Sequence, residues 1–198
     1  MIIVGVGTGP GMLTEEAVKA ISQASLIYGS KRAVEMARQH IKSDCTIHII
    51  VDYKKLRELS KEAVVLSTGD PMLSGLGYLD GRVIPGISSM QVACARLKIS
   101  QLKVIPVTLH GRAIVSESLA RIAYEIRNGN CVFLLTDDAT NLPLICHHLE
   151  TEGLSKDVAV LTELGYLEEM IELGRTDRPP AASGLSCVII GDISKRDL

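Results

Sequence analysis

Three short stretches hold the side chains whose types and spacing could do chemistry. In residues 64–77, VVLSTGDPMLSGLG, the expected buried strand Val64, Val65, Leu66, Ser67 leads into Thr68, Gly69, Asp70 and Pro71. A turn at the carboxyl end of a strand is where α/β sheets collect ligands. Gly69 lets backbone approach a ligand without a Cβ, Asp70 offers an acceptor to a hydroxyl or amine, and Pro71 fixes the exit. The same pattern also serves as a plain strand-turn-helix connection. The second stretch, PGISS at 85–89, places small hydroxyl residues at a helix amino end, where Ser88 can cap the helix or bind a ligand. The third is His110, Gly111 and Arg112, at the end of an extended segment. It reads as a surface loop or as a fork for a carboxylate.

Other chemistries find no support. Ser67, Ser74, Ser88 and Ser89 lie near turns, but no GxSxG elbow is present and His110 has no acidic residue to orient it. His147 and His148 are adjacent on a helix and point in different directions, and no histidines or cysteines fall at metal-ligand spacings. The glycine-rich opening Gly5, Val6, Gly7, Thr8, Gly9, Pro10, Gly11 suggests a dinucleotide loop. However, Pro10 or Met12 stands where GxGxxG needs its last glycine, and no Lys-Ser or Lys-Thr follows for a phosphate loop. What remains is a constrained loop whose backbone passes close to something bulky, or a turn that needs positive φ.

The elements that must position these residues follow from the apolar pattern. Strands are expected at Ile2–Val4, Leu26–Tyr28, 47–51, 64–67 and Val83–Ile84, with Thr14 capping one helix, Ser30 capping a second over 31–39, and Leu56 and Leu59 marking a short amphipathic helix. Residues 104–109 form a strand or connector. Helices over 117–127 and 142–149 alternate with strands at 131–135 and 158–161, and two antiparallel strands, 168–173 and 187–190, complete a mixed sheet. The expected class is α/β with two α/β domains, 1–106 with a mostly parallel sheet and 107–198 with a mixed one, and a cleft between them.

Composition bounds the rest. At 198 residues, 46% hydrophobic and 22% charged, the chain can bury a real core. A net charge of −2 offers no global basic field for nucleic acid or an anionic membrane. Five scattered cysteines, an odd number without a CxxC pair, read as reduced thiols. With no leader pattern and no span-length apolar run, a soluble cytoplasmic protein is expected.

Taken in order, VGVGTGPG, STGDPMLSG, PGISS, LHGR and TELG resemble the tetrapyrrole methylase family across essentially the full chain. Within it, YGSKRAVEM, the short HGR and TELGYLEEMIELG look most like the enzymes that methylate C5 of cobalt-precorrin-7 in cobalamin synthesis. The resemblance implies two α/β domains with S-adenosylmethionine in the trough between them and a corrinoid substrate. It places the cofactor against Pro10, Thr68, Gly69, Asp70, Leu73, Ser88, Ser89, Leu135, Thr136, Leu164 and Gly165. Gly9, His110, Gly111, Arg112, Lys31 and Arg32 would face the substrate. No catalytic residue is assigned. Family members that methylate the first porphyrinogen carry an acid after the second strand, where this chain has Gly29, which argues against that substrate. Related C5 enzymes often carry a decarboxylating methyltransferase domain, so a separate partner is expected to do that work. A homodimer is also expected, from the family and from the chain's hydrophobicity.

Overall fold

A computed structural model describes residues 1–108, 116–136, 141–182 and 184–193. The chain forms two compact units, Met1–Ser89 and Met90–Leu198, each with its own five-stranded sheet. The expected division at 106/107 would cut the strand Val104–Thr108. That strand pairs along its whole length with Cys131–Leu135, so it belongs to the second unit.

The first sheet is wholly parallel, in the order β3-β2-β4-β1-β5, with β1 Ile2–Gly5, β2 Leu26–Gly29, β3 Thr46–Ile49, β4 Val64–Ser67 and β5 Arg82–Ile84. Every residue of β4 is buried, as its apolar run Val64–Leu66 requires at the middle of a two-sided sheet, and the polar Ser67 at its end is buried with it. On one face Ile3 and Val65 pack with Leu56, Leu76 and Leu79. Helix α1, Glu15–Gln23, is capped by Thr14, whose side chain accepts from the Ala17 N–H at 3.1 Å. Helix α2, Lys31–Ala37, is capped by Ser30 at 3.1 Å and ends two residues short of expectation in a 3-10 turn, Arg38–His40. The helix expected around Leu56 is also a 3-10 turn, Tyr53–Glu58, which buries Leu56. A short helix α3, Pro71–Ser74, follows β4.

The second sheet is mixed, in the order β6-β7-β10-β8-β9, with β6 Val104–Thr108, β7 Cys131–Leu135, β8 Asp157–Thr162, β9 Met170–Arg175 and β10 Ser186–Gly191. Strands β6 and β7 are parallel, and β10 runs antiparallel to both β7 and β8. The last two strands are not neighbours, because β10 inserts between β7 and β8 and leaves β9 at the edge. Helices α5, Ser116–Arg127, and α6, Leu142–Thr151, cover one face. Ile122, Ile126, Ile145 and Leu149 pack there on Val132, Leu134, Val160 and Val188. Helix α4, Ser89–Leu97, precedes β6 and buries Val92, Ala93 and Cys94. Among the described residues no helix is long and apolar enough to cross a membrane.

Candidate functional site

At the carboxyl edge of the first sheet the loops after β1, β4 and β5 meet backbone to backbone. Gly7 and Gly69 exchange hydrogen bonds, Gly69 N–H to Gly7 O at 2.7 Å and Gly7 N–H to Gly69 O at 3.2 Å. A Cβ on Gly86 would lie 2.2 Å from Gly69 O, and one on Gly5 would lie 2.5 Å from Gly86 N. Such distances admit no side chain, so these glycines are dictated by the approach of three loops. Gly69 also stands at φ +67°, where a Cβ would meet nothing nearer than Ser88 Cα at 3.9 Å and Thr8 Oγ1 at 4.0 Å. That side of the loop is open to a ligand. Thr8, itself buried, donates from Oγ1 to Ile87 O at 2.9 Å and ties the first loop to the PGISS turn.

Asp70 holds its own loop and a neighbouring one. One carboxylate oxygen, Oδ1, accepts from the Met72 N–H at 2.8 Å and caps α3, while Oδ2 accepts from the Gly86 N–H at 2.9 Å. Both oxygens thus serve the fold, one within the β4 loop and one across to the β5 loop.

The other residues singled out in the first unit share this edge. Thr68 and Leu73 are half-buried, Ser88 is buried, and Ser89 opens α4. Pro10 is exposed in a turn closed by Met12 N–H to Gly9 O at 3.3 Å, with Gly9 buried behind it. Lys31, exposed, and Arg32, half-buried, begin α2 just past the end of β2. A Cβ on Gly29 would meet Val34 Cγ2 at 3.1 Å and Leu66 Cβ at 3.2 Å, so the packing of α2 on β2 and β4 leaves little room there for an acidic side chain.

The second sheet has a matching edge. Strands β6, β7 and β8 all end on it, and the register sets Leu135 opposite Cys187 and Cys187 opposite Leu161. Thr136, buried, donates to Ser186 O at 2.7 Å and pins the end of β7 to the start of β10. After β8 the chain turns sharply. Glu163 stands at φ +49°, Leu164 is buried, and Gly165 stands at φ +83°. Leu135, Thr136, Leu164 and Gly165 are therefore brought together at one edge of this unit. His110, Gly111 and Arg112 lie outside the described residues.

Sequence reasoning missed Thr8, Arg96 and Glu169. Glu169 Oε2 accepts from the Gly165 N–H at 2.8 Å, and Arg96 of α4 holds the same carboxylate through Nε to Oε1 at 2.5 Å and Nη2 to Oε2 at 3.3 Å. The Arg96 hydrogen bond keeps the Glu169 carboxyl below the usual glutamate range. A threonine among the loop glycines was a visible signal for Thr8. The partnership of residues 96 and 169 had none, because only folding makes them neighbours. The cysteines point away from reactivity: burial pushes Cys146 and Cys187 up to about 12 and also raises Cys94 and Cys131. Among the described residues no three His, Cys, Asp or Glu side chains group to hold a metal ion. Chemically, the first edge suits a polar nucleoside-like ligand held by backbone and hydroxyl groups.

Comparison with known proteins gives this arrangement relatives. The family model of tetrapyrrole (corrin/porphyrin) methylases matches residues 2–179. A probable cobalt-precorrin-7 C(5)-methyltransferase of Methanocaldococcus jannaschii is 35% identical over 188 residues, covering 85% of this chain and 86% of that one. The crystal structure of a cobalamin biosynthesis precorrin-6Y methylase from Archaeoglobus fulgidus superposes with a TM-score of 0.74 at 31% identity, over 97% of each chain. A uroporphyrin-III C-methyltransferase from Thermus thermophilus, complexed with S-adenyl homocysteine, has a TM-score of 0.75 over 98% of each chain, but at 17% identity it shares the fold alone.

Proposed function

The chain belongs to the tetrapyrrole (corrin/porphyrin) methylases, and from that premise we propose that it methylates C5 of a corrin precursor, cobalt-precorrin-7, in cobalamin biosynthesis. The observation that carries the choice of C5 is the likeness to the M. jannaschii protein along most of both chains. S-adenosylmethionine supplies an electrophilic methyl group on a sulfonium centre. The residues present fit such a ligand, because the loop at Gly69 is open toward Thr8 and Ser88 and is walled by glycine backbone.

The residues proposed to hold it are Pro10, Thr68, Gly69, Asp70, Leu73, Ser88 and Ser89 in the first unit, with Leu135, Thr136, Leu164 and Gly165 in the second. Asp70 acts chiefly by holding its loop, since both its oxygens accept backbone N–H groups. Gly9, Lys31, Arg32, His110, Gly111 and Arg112 are assigned to the corrinoid. A ring carrying acetate and propionate groups is bound by cations and backbone donors, which suits Lys31, Arg32 and Arg112. Catalysis is assigned to positioning, which can lower a barrier by about 7 to 11 kcal/mol without a dedicated acid or base.

A panel of corrinoid intermediates incubated with S-adenosylmethionine tests the reading by product mass. A single methyl gained by cobalt-precorrin-7 alone supports it, and methylation of another intermediate overturns the choice of C5. Cofactor binding with no methylation across the panel favours a non-catalytic nucleoside-binding protein. A homodimer and a separate decarboxylating methyltransferase partner belong to the same proposal. Light scattering at micromolar concentration that reports only monomer removes the dimer.

A further inference from the structure

We infer that Arg96 and Glu169 are positioning residues that fix the Leu164–Gly165 turn for ligand binding, an inference that rests on reading this turn as part of the S-adenosylmethionine site. The turn needs fixing. It joins a non-glycine residue in the left-handed region, Glu163 at φ +49°, to Gly165 at φ +83°, and such residues are uncommon unless their surroundings hold them. One side is anchored by backbone, through Glu163 N–H to Leu185 O and Tyr166 N–H to Glu163 O, both at 3.0 Å. The middle of the turn is held differently. The Gly165 N–H donates to a side chain four residues on, Glu169 Oε2, at 2.8 Å.

That carboxylate is itself held by Arg96, whose Nε and Nη2 address its two oxygens separately. The paired fork geometry restricts the rotation of the carboxylate and so fixes the direction from which it meets Gly165. An exposed ion pair by itself contributes little to stability, and the Arg96 side chain is 43% exposed. What the pair does is local. Arg96 orients Glu169, and Glu169 sets the plane of the peptide between Leu164 and Gly165. Glu169, only 19% exposed and with its carboxyl lowered by Arg96, remains an ionised acceptor through the neutral range.

The test separates ion pairing from positioning. S-adenosylhomocysteine affinity by calorimetry and the thermal midpoint are measured for wild type, Glu169→Ala, Glu169→Gln and the exchange Arg96→Glu with Glu169→Arg. The exchange restores opposite charges but leaves arginine at 169, which cannot accept from Gly165. Glu169→Gln keeps an oxygen for Gly165 while weakening the link to Arg96. Glu169→Ala and the exchange are expected to bind roughly ten- to a hundredfold more weakly, with the exchange melting no lower than Glu169→Ala and Glu169→Gln within a few-fold of wild-type affinity. The inference is overturned if the exchange binds as tightly as wild type. Should the exchange fail to fold, equal affinity of Glu169→Ala and wild type, or equal losses in Ala and Gln, overturns it instead. Wild-type protein that takes up no S-adenosylhomocysteine overturns the cofactor reading, and the inference with it.

Discussion

Asp70 and Gly86 are joined side chain to backbone, Oδ2 accepting from the Gly86 N–H at 2.9 Å, while the other oxygen of the same carboxylate caps α3. One residue thereby holds the loops after β4 and β5 in a single arrangement. Asp70→Ala is expected to destabilise the protein by about 1–3 kcal/mol, through the lost cap and the abandoned Gly86 N–H, and to weaken S-adenosylhomocysteine binding with it. Asp70→Asn, which keeps one good acceptor, should fall between. Urea denaturation beside calorimetry decides the matter, because lost affinity at unchanged stability would make the carboxylate a direct ligand contact.

Gly86 and Gly75 make a matched pair for a second prediction. A Cβ at 86 collides with the backbone of Gly69 and Gly5, whereas a Cβ at Gly75, which stands at φ +97°, would have nothing within 4 Å of it. Gly86→Ala should disrupt the loop junction and abolish S-adenosylhomocysteine binding. Gly75→Ala should cost only its left-handed strain, roughly 1–2 kcal/mol, and retain binding. Equal affinity in the two variants would show that the three-loop junction does not shape the site.

Much of this edge could be read from residue order, and the reason is local. Val64–Leu66 is an uninterrupted apolar run, Thr14 and Ser30 stand where helix caps must, and Gly69-Asp70-Pro71 marks a turn by its chemistry alone. What was illegible depended on distance along the chain. That Asp70 also accepts from Gly86 was hidden, because the bond forms only when two loops fold together. Val104–Thr108 reads as either a strand or a connector, and its pairing with Cys131–Leu135 appears only when the chain folds. Arg96 and Glu169 lie 73 residues apart, and neither carries a motif.

The Arg96–Glu169 pair also sets a pH dependence. The folded-state pKa of Glu169 is depressed, first by its hydrogen bond from Arg96, so its stabilisation is present above the ordinary glutamate value of about 4.3 and is lost as pH falls through the lowered one. Urea midpoints followed downward from pH 6 should drop more steeply in wild type than in Glu169→Gln. Parallel curves would show that this carboxylate has the same pKa folded and unfolded.

Thiol chemistry gives an independent check on packing. Cys94, Cys131, Cys146 and Cys187 are buried, while Cys45 is partly exposed. A thiol-specific reagent at neutral pH should label Cys45 first and the other four only on unfolding, because in the folded protein burial both shields those thiols and raises them, Cys146 and Cys187 to about 12. Peptide mapping that finds Cys187 labelled in the native protein would contradict the packing of the second sheet.

The placement of β10 bears on how the second unit comes to be made. Although it follows β6, β7, β8 and β9 in the chain, it lies between β7 and β8 and pairs with both. A nascent chain that has reached only β9 therefore holds two separate ladders, each with a raw hydrogen-bonding edge and nothing to join them. Unpaired edges of that kind invite association with other chains. The first unit has a joining strand of the same kind in β4, which lies between β2 and β1, but its strands all precede Ser89 and its sheet closes earlier in synthesis. Biogenesis is thus asymmetric: the half carrying the Asp70 loop can mature during synthesis, while the half carrying the Leu164–Gly165 turn must wait for one late segment and, until it arrives, is the part that chaperones would have to shield.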